Sequence, residues 1–173
     1  MGLKGNNYDF LDFSFERDFN ILYAEIHPTI RTGIRKSRKE TQKDKISNLA
    51  IYDIKNEKLS YFFEEGSNKN IKFYLYESSY NEEFEKIDFN TESYLLSNNM
   101  KIEKRELEDK LFVITEKDES EEFELWISSK LGLDKKLVRT IPKRTKWRID
   151  VYNKKILILN KIENGIKIES LNW

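Results

Sequence analysis

The chain contains one histidine, His27, and no cysteine. Without a thiol, disulfides, thiolate metal sites and a cysteine nucleophile are excluded. A Ser-His-acid relay would need His27 as its base, and no Gly-x-Ser-x-Gly elbow is present to carry the nucleophile. A lone histidine directly before a proline, here Pro28, is most often structural, and histidine-rich metal sites are excluded by count. Lys117 to Glu124 is dense in carboxylates, as a calcium loop would be, but lacks the EF-hand spacing and its glycine. Asp44 with Asp53-Ile54-Lys55 fits an acid–acid-x-Lys nuclease pattern, a spacing expected by chance in a chain so rich in Asp, Glu and Lys. The six glycines do not cluster beyond the N-terminus, so no loop cradles a phosphate. The residues therefore lead to the expectation of no catalytic group, no metal and no cofactor, in a protein that is not an enzyme.

The remaining chemistry is charge. Arg31 to Lys45 holds seven basic residues and two acids, and Lys135 to Arg148 holds seven basic residues and no acid. Opposing them, Glu116 to Glu124 carries six acids and one lysine, and Glu82 to Glu92 is also net acidic. Either these segments face one another and solvent, each surface pair contributing about 0–1 kcal/mol, or they polarise a surface that docks a charged partner. The candidate contacts are Lys135, Lys136, Arg139, Lys143, Arg144 and Lys146, followed by Arg31, Arg35, Lys36 and Arg38. Nucleic acid is the alternative partner. Lys143, Arg144, Lys146 and Arg148 flank Trp147, and Tyr152 shares a face with Arg148, a mixture suited to phosphate contact and stacking. Against it, Trp147 shares its face with Ile149 and Val151 and should point inward.

The elements that would position these groups read as strands. Leu111-Phe112-Val113-Ile114 is a short run of strand formers, and Phe123, Leu125 and Ile127 alternate with polar neighbours. Lys117 to Glu121 is a hairpin loop, and Gly132 suits a left-handed turn. Leu137 to Ile141 returns. Trp147, Ile149 and Val151 alternate with Arg148, Asp150 and Tyr152, and Ile156 to Leu159 is apolar on both faces, as an interior strand is. Asn164-Gly165 signals a type I′ hairpin turn leading into Ile166 to Leu171. Met100 to Leu107 reads as a strand with a turn at Glu108-Asp109-Lys110, a helix being the alternative.

In the first half, Phe10, Phe13, Phe15 and Phe19 among acids suit an edge strand or an arm packed on the body, with residues 1–20 a possible N-terminal arm. Ile21 to Ile26 is a strand expected to end at His27-Pro28. Arg31 to Lys45 is an exposed loop or extended hairpin. Ile71, Phe73 and Leu75 alternate with Lys72, Tyr74 and Tyr76, giving a tyrosine face. Ser78 to Asn81 reads as a turn, Ile87 and Phe89 as a short returning strand, and Tyr94-Leu95-Leu96 as one helical turn.

From Glu124-Leu125-Trp126-Ile127-Ser128 through Gly132, Lys136-Leu137, Pro142 and Trp147-Arg148-Ile149-Asp150 to Lys154-Lys155-Ile156, the chain resembles a TolB-like β-propeller repeat. That family places Trp-Ser-Pro-Asp-Gly before a Lys-Ile strand. Here Trp147 and Asp150 are kept, while Arg148 and Ile149 replace Ser-Pro and Val151 replaces Gly. The resemblance covers about residues 100–173 and extends to Asn48–Phe63, where Leu49 to Asp53 and Leu59 to Phe63 flank Lys55 to Lys58. It implies propeller-like blades serving as an interaction platform. At about 40–45 residues per blade, 173 residues supply roughly three to four, fewer than a secure closed ring.

The fold class expected is therefore all-β, with antiparallel meanders forming either an incomplete propeller-like ring or a β-sandwich. Length indicates a single domain, residues 1–173. With 38% apolar, 36% charged and 13% aromatic residues, a core is available under a heavily charged surface. Formal net charge is zero, so no global field favours nucleic acid or a membrane. No stretch approaches the ~20 apolar residues of a spanning helix. The N-terminus has no visible signal peptide and is a poor myristoylation site, so a cytoplasmic location is expected, or a periplasmic or surface one if a leader has been removed. The function expected is a non-catalytic accessory module, such as an immunity or accessory subunit of a bacterial system. It would bind another protein through charged loops and sheet edges, with homo-oligomerisation through those edges as a further expectation.

Overall fold

The computed structural model describes residues 8–32, 38–67, 69–80, 86–90, 93–95, 107–117, 120–150 and 153–172. All regular structure among them is antiparallel strand. The first sheet runs β1 (Tyr8–Glu16), β2 (Ile21–Thr32), β4 (Asn48–Asp53), β5 (Lys58–Tyr61), with β3 (Arg38–Thr41) paired to the distal part of β2. A central sheet has β12 (Lys136–Pro142), β11 (Glu122–Ser128), β10 (Leu111–Lys117) and β6 (Lys69–Leu75) in that spatial order. The third holds β13 (Lys146–Asp150), β14 (Lys155–Ile162) and β15 (Gly165–Asn172). Three short strands, β7 (Glu77–Tyr80), β8 (Lys86–Phe89) and β9 (Ser93–Leu95), make a small fourth sheet. The chain is all-β, and none of these sheets closes into a barrel.

The core lies on both faces of the central sheet. Leu111 and Val113 of β10 pack with Ile21 and Tyr23 of β2, Leu49 and Ile51 of β4, and Phe62. Phe112 and Ile114, on the opposite face, pack with Leu125, Ile127, Ile141, Ile156 and Ile158. The unbroken apolar run of β10 follows from this: a strand covered on two sides has no solvent face to keep polar. Each such side chain contributes about 1.5–3 kcal/mol through its burial. Sheets stack here in three layers, the central one between the other two.

A register shift refines the reading of β6. Ile114 pairs with Phe73 and Thr115 with Ile71, so Lys72 is the extra residue of a bulge. The bulge reverses parity. Ile71 joins Tyr74 and Tyr76 in the core toward the first sheet, while Phe73 and Leu75 face the third sheet. The expected grouping of Ile71 with Phe73 and Leu75 is therefore corrected, and the tyrosine face is interior.

Four other expectations change. β2 does not stop at His27-Pro28 but continues to Thr32. Pro28 pairs with Tyr8 of β1 on one side, while its carbonyl, and with it the side that lacks an N–H, faces the gap between the last pair with β4, Ile26 with Asn48, and the first with β3, Thr29 with Thr41. Ser78 to Tyr80 belong to β7 rather than a turn, because β8 pairs with Glu77, Ser79 and Tyr80. Ser93–Leu95 is strand β9 rather than a helical turn, for it pairs with β8. The last hairpin is displaced by one residue: Ile162 pairs with Gly165, leaving Glu163-Asn164 as the loop. Neither loop residue takes positive φ, so the turn is not type I′; Gly165 itself has φ 153°.

The expected strands around Leu111, Phe123, Leu137, Trp147, Ile156 and Ile166 are all present, as are those at Ile21, Leu49, Leu59 and Ile87. Residues 8–16 form an edge strand of the first sheet, and Arg31 to Lys45 includes the extended hairpin of β2 and β3. Gly132 has the expected left-handed φ, 73°. The expected strand from Met100 lies outside the described residues up to position 106, and Val151 and Tyr152 lie outside them too.

Two hairpins use one loop design. Asp53 accepts from the backbone N–H and side-chain amide of Asn56, and Asp150 does the same with Asn153. The next residue in each, Glu57 or Lys154, takes positive φ, 51° and 52°. The aspartates pair with Lys58 and Lys155 at the ends of the two hairpins, with the same side-chain-to-backbone chemistry at each.

Candidate functional site

The histidine lies on β2. β2 carries Tyr23, Glu25 and His27 on its inner face. His27 is 2% exposed, and neither ring nitrogen makes a hydrogen bond. Its Nε2 lies 3.3 Å from Glu25 Oε2, while Glu25 Oε1 accepts from the Tyr74 hydroxyl at 3.0 Å. Burial pushes the Tyr74 hydroxyl well above the ordinary tyrosine range. The ring is closed off from solvent.

A second buried polar cluster escaped the sequence reading. Lys130 lies in the turn between β11 and β12. Its ammonium reaches Glu16 Oε1 at 3.1 Å and the Glu77 carbonyl at 2.7 Å, and sits 4.0 Å from the Phe19 ring centroid. Both side chains of the ion pair are fully buried. Asp109 accepts from the Lys130 N–H at 2.7 Å, and the Tyr23 hydroxyl donates to the Lys130 carbonyl at 2.8 Å. Burial lowers the Lys130 pKa, opposed by the Glu16 charge. No buried side-chain polar atom of the cluster lacks a partner, and the cluster fastens the first sheet to the central one. No local pattern marks it, because its partners are 114 residues apart.

Two carboxylates of the acidic motifs have partners. Glu124 pairs with Lys69, which lies 4.9 Å from the Trp126 ring centroid. Asp53 is engaged with Asn56 in its own loop. Among the described residues no group of three or more His, Asp or Glu is placed to hold a metal ion.

The basic segment 135–148 divides into two groups. Lys143 meets Glu116 at 2.9 Å, and Lys72 meets the same carboxylate at 3.1 Å. Arg139 pairs with Glu169, and Lys135 donates to the Phe62 carbonyl, its ammonium 5.2 Å from the Phe63 ring centroid. Burial lowers the Lys135 pKa. The Lys143–Glu116 pair joins this basic segment to the acidic segment 116–124. Lys136, Arg144, Lys146 and Arg148, by contrast, are exposed and have no ion pair among the described residues. They lie on β12, the following turn and β13, which are edge strands of two sheets joined by that turn. Arg31 and Arg38 fall on β2 and β3, whereas Arg35 and Lys36 lie outside the described residues.

Trp147 points inward, as its parity with Ile149 requires. Its ring is 5.1 Å from Phe73 and 5.7 Å from Phe112 between centroids. The outer face of the third sheet is consequently made by the other parity. Lys146, Leu159 and Ile168 form one cross-strand row, Arg148, Leu157 and Ser170 a second, and Lys161 with Ile166 a third. Ile166 and Ile168 are 65% and 61% exposed.

Comparison with family models, curated proteins and solved structures finds no match to this chain. No helix among the described residues is long and apolar enough to cross a membrane.

Proposed function

We propose that this chain is a non-catalytic interaction module that binds an acidic protein segment on the outer face and basic edge of its third sheet. One observation carries the reading: Lys146 and Arg148, exposed and without ion pairs among the described residues, share cross-strand rows with Leu159, Ile168 and Leu157. Arg139 and Lys143 of the same segment are neutralised within the molecule, whereas these two retain their field for a partner. Exposed isoleucines add an apolar contact that a phosphate backbone does not use. The aromatic ring a single-stranded nucleic acid would stack on, Trp147, is turned to the core. The TolB-like resemblance over residues 100–173 points the same way, toward an interaction platform, and an accessory or immunity role suits a small charged chain.

The test compares the parent with the triple reversal Arg144→Glu, Lys146→Glu, Arg148→Glu, and with Ile166→Ser, Ile168→Ser. Proteins captured from the source cell would be identified by mass spectrometry, and retention on single-stranded DNA measured in parallel. The expected result is loss of the same acidic protein in both variants, with folding intact. Unchanged protein capture combined with lost DNA retention would establish the nucleic-acid reading instead.

A further inference from the structure

The outer face of the first sheet has a different character. Phe13 pairs with Ala24, Ala24 with Ala50 and Ala50 with Tyr61. Phe15, Leu22, Tyr52 and Leu59 form the adjacent row. These eight residues across four strands include no charge. A solvent face of an antiparallel sheet is ordinarily polar at such positions. The profile is also uneven. Phe13 and Phe15 stand 63% and 50% exposed on one edge strand, and Leu59 and Tyr61 stand 52% and 39% exposed on the other. Between them Ala24 and Ala50 form a low floor, and the resulting groove, lined only by apolar surface, holds about 240 Å³.

We infer that this face is a self-association surface, covered by the same face of a second copy of the chain in a two-fold dimer. Three features select that occupant. An uncharged face requires an uncharged counterpart, since any charge laid on it would be buried unpaired. Among the faces on view, this one meets that requirement, whereas the third sheet's outer face carries Lys146, Arg148 and Lys161 and would repel its own copy. The rim favours the same solution: its two turns present exposed Arg17 with Asp18 and Lys55 with Glu57, both signs in each, which a two-fold axis can match without net repulsion. Finally, ridge and groove are self-complementary. The phenylalanine edge of one copy fits the alanine floor of the other, with the interdigitation and layer spacing of about 10 Å that stacked sheets adopt. The dimer would continue the stacking already present between the first and central sheets. This inference concerns a different surface from the acidic-partner face and stands independently of it.

The experiment is sedimentation of the full chain over a concentration series, beside the double variant Phe13→Lys, Leu59→Lys. Both positions project into water in the single copy, so far-ultraviolet dichroism and melting should match the parent. A mass that rises to twice the chain's in the parent and stays at one chain in the variant is the expected result. A parent that remains a single chain throughout, or a variant that still dimerises, overturns the inference; the latter would assign self-association to the sheet edges. Should the double variant fail to fold, a photoreactive benzophenone residue in place of Phe13 decides. Cross-links between mixed heavy-isotope and light copies that land on β1, β2, β4 or β5 support the face, and their absence or landing elsewhere refutes it.

Discussion

The Lys130 ammonium lies 3.1 Å from Glu16 Oε1, with both side chains withdrawn from solvent. It joins an edge strand of the first sheet to the turn after β11. Removing one partner leaves the other charge buried and uncompensated, so Lys130→Met and Glu16→Leu should each cost about 3–5 kcal/mol. The double variant should cost less than either alone, because apolar groups then replace the whole pair. Denaturant unfolding of the three variants checks this; single variants within about 1 kcal/mol of the parent would contradict it.

Glu116 predicts an acid-sensitive component of stability. The Lys143 hydrogen bond, with Lys72 assisting, holds its carboxyl below the ordinary value. The folded state then binds fewer protons than the unfolded one as pH falls toward that range. The contribution is full above the unfolded pKa of about 4.3 and is lost as pH falls through the lower folded value. The pair is partly exposed, so its size is about 1 kcal/mol at most. Glu116→Gln should unfold at lower denaturant than the parent at neutral pH, and the gap should close as pH drops below the carboxylate range.

Gly132 and Gly66 form an internal control. Both take left-handed φ, 73° and 84°. A Cβ at Gly132 would lie 2.8 Å from Ile51 Cδ1, whereas at Gly66 nothing lies within 4 Å. Gly66→Ala should cost about 1–2 kcal/mol from backbone conformation alone. Gly132→Ala should cost more, and combining it with Ile51→Val should reduce that excess if the contact causes it. Thermal melting of the set measures both terms.

Trp147 is half-buried between Phe73 and Phe112, bridging the third and central sheets. Trp147→Ala should cost about 3–5 kcal/mol, and Trp147→Phe distinctly less. A variant that melts like the parent while losing only partner capture would make the residue an external contact.

The sequence alone was enough for the all-β class and for most strands from Leu111 onward, because alternation and turn chemistry are local: a strand with one buried face writes its period into neighbouring residues. The same holds for the inward orientation of Trp147, read from Ile149. The repeated Asp-x-x-Asn loops at Asp53 and Asp150 were equally local and equally available. Strand continuation through Pro28 and strand formation at Ser78 and Tyr94 were not, because each depends on a partner strand that supplies the ladder. The bulge at Lys72 likewise arises only when β6 is set against β10, and it turns Tyr74 and Tyr76 toward the first sheet. Charge was the least legible. Lys143 and Arg148 look alike in the chain, yet one meets Glu116 and the other faces water beside Leu157. Glu16 and Lys130 look like surface residues and are the most deeply buried ion pair described. Coulomb interaction and desolvation depend on distances and exclusion of water that residues more than a hundred positions apart acquire only when the sheets stack.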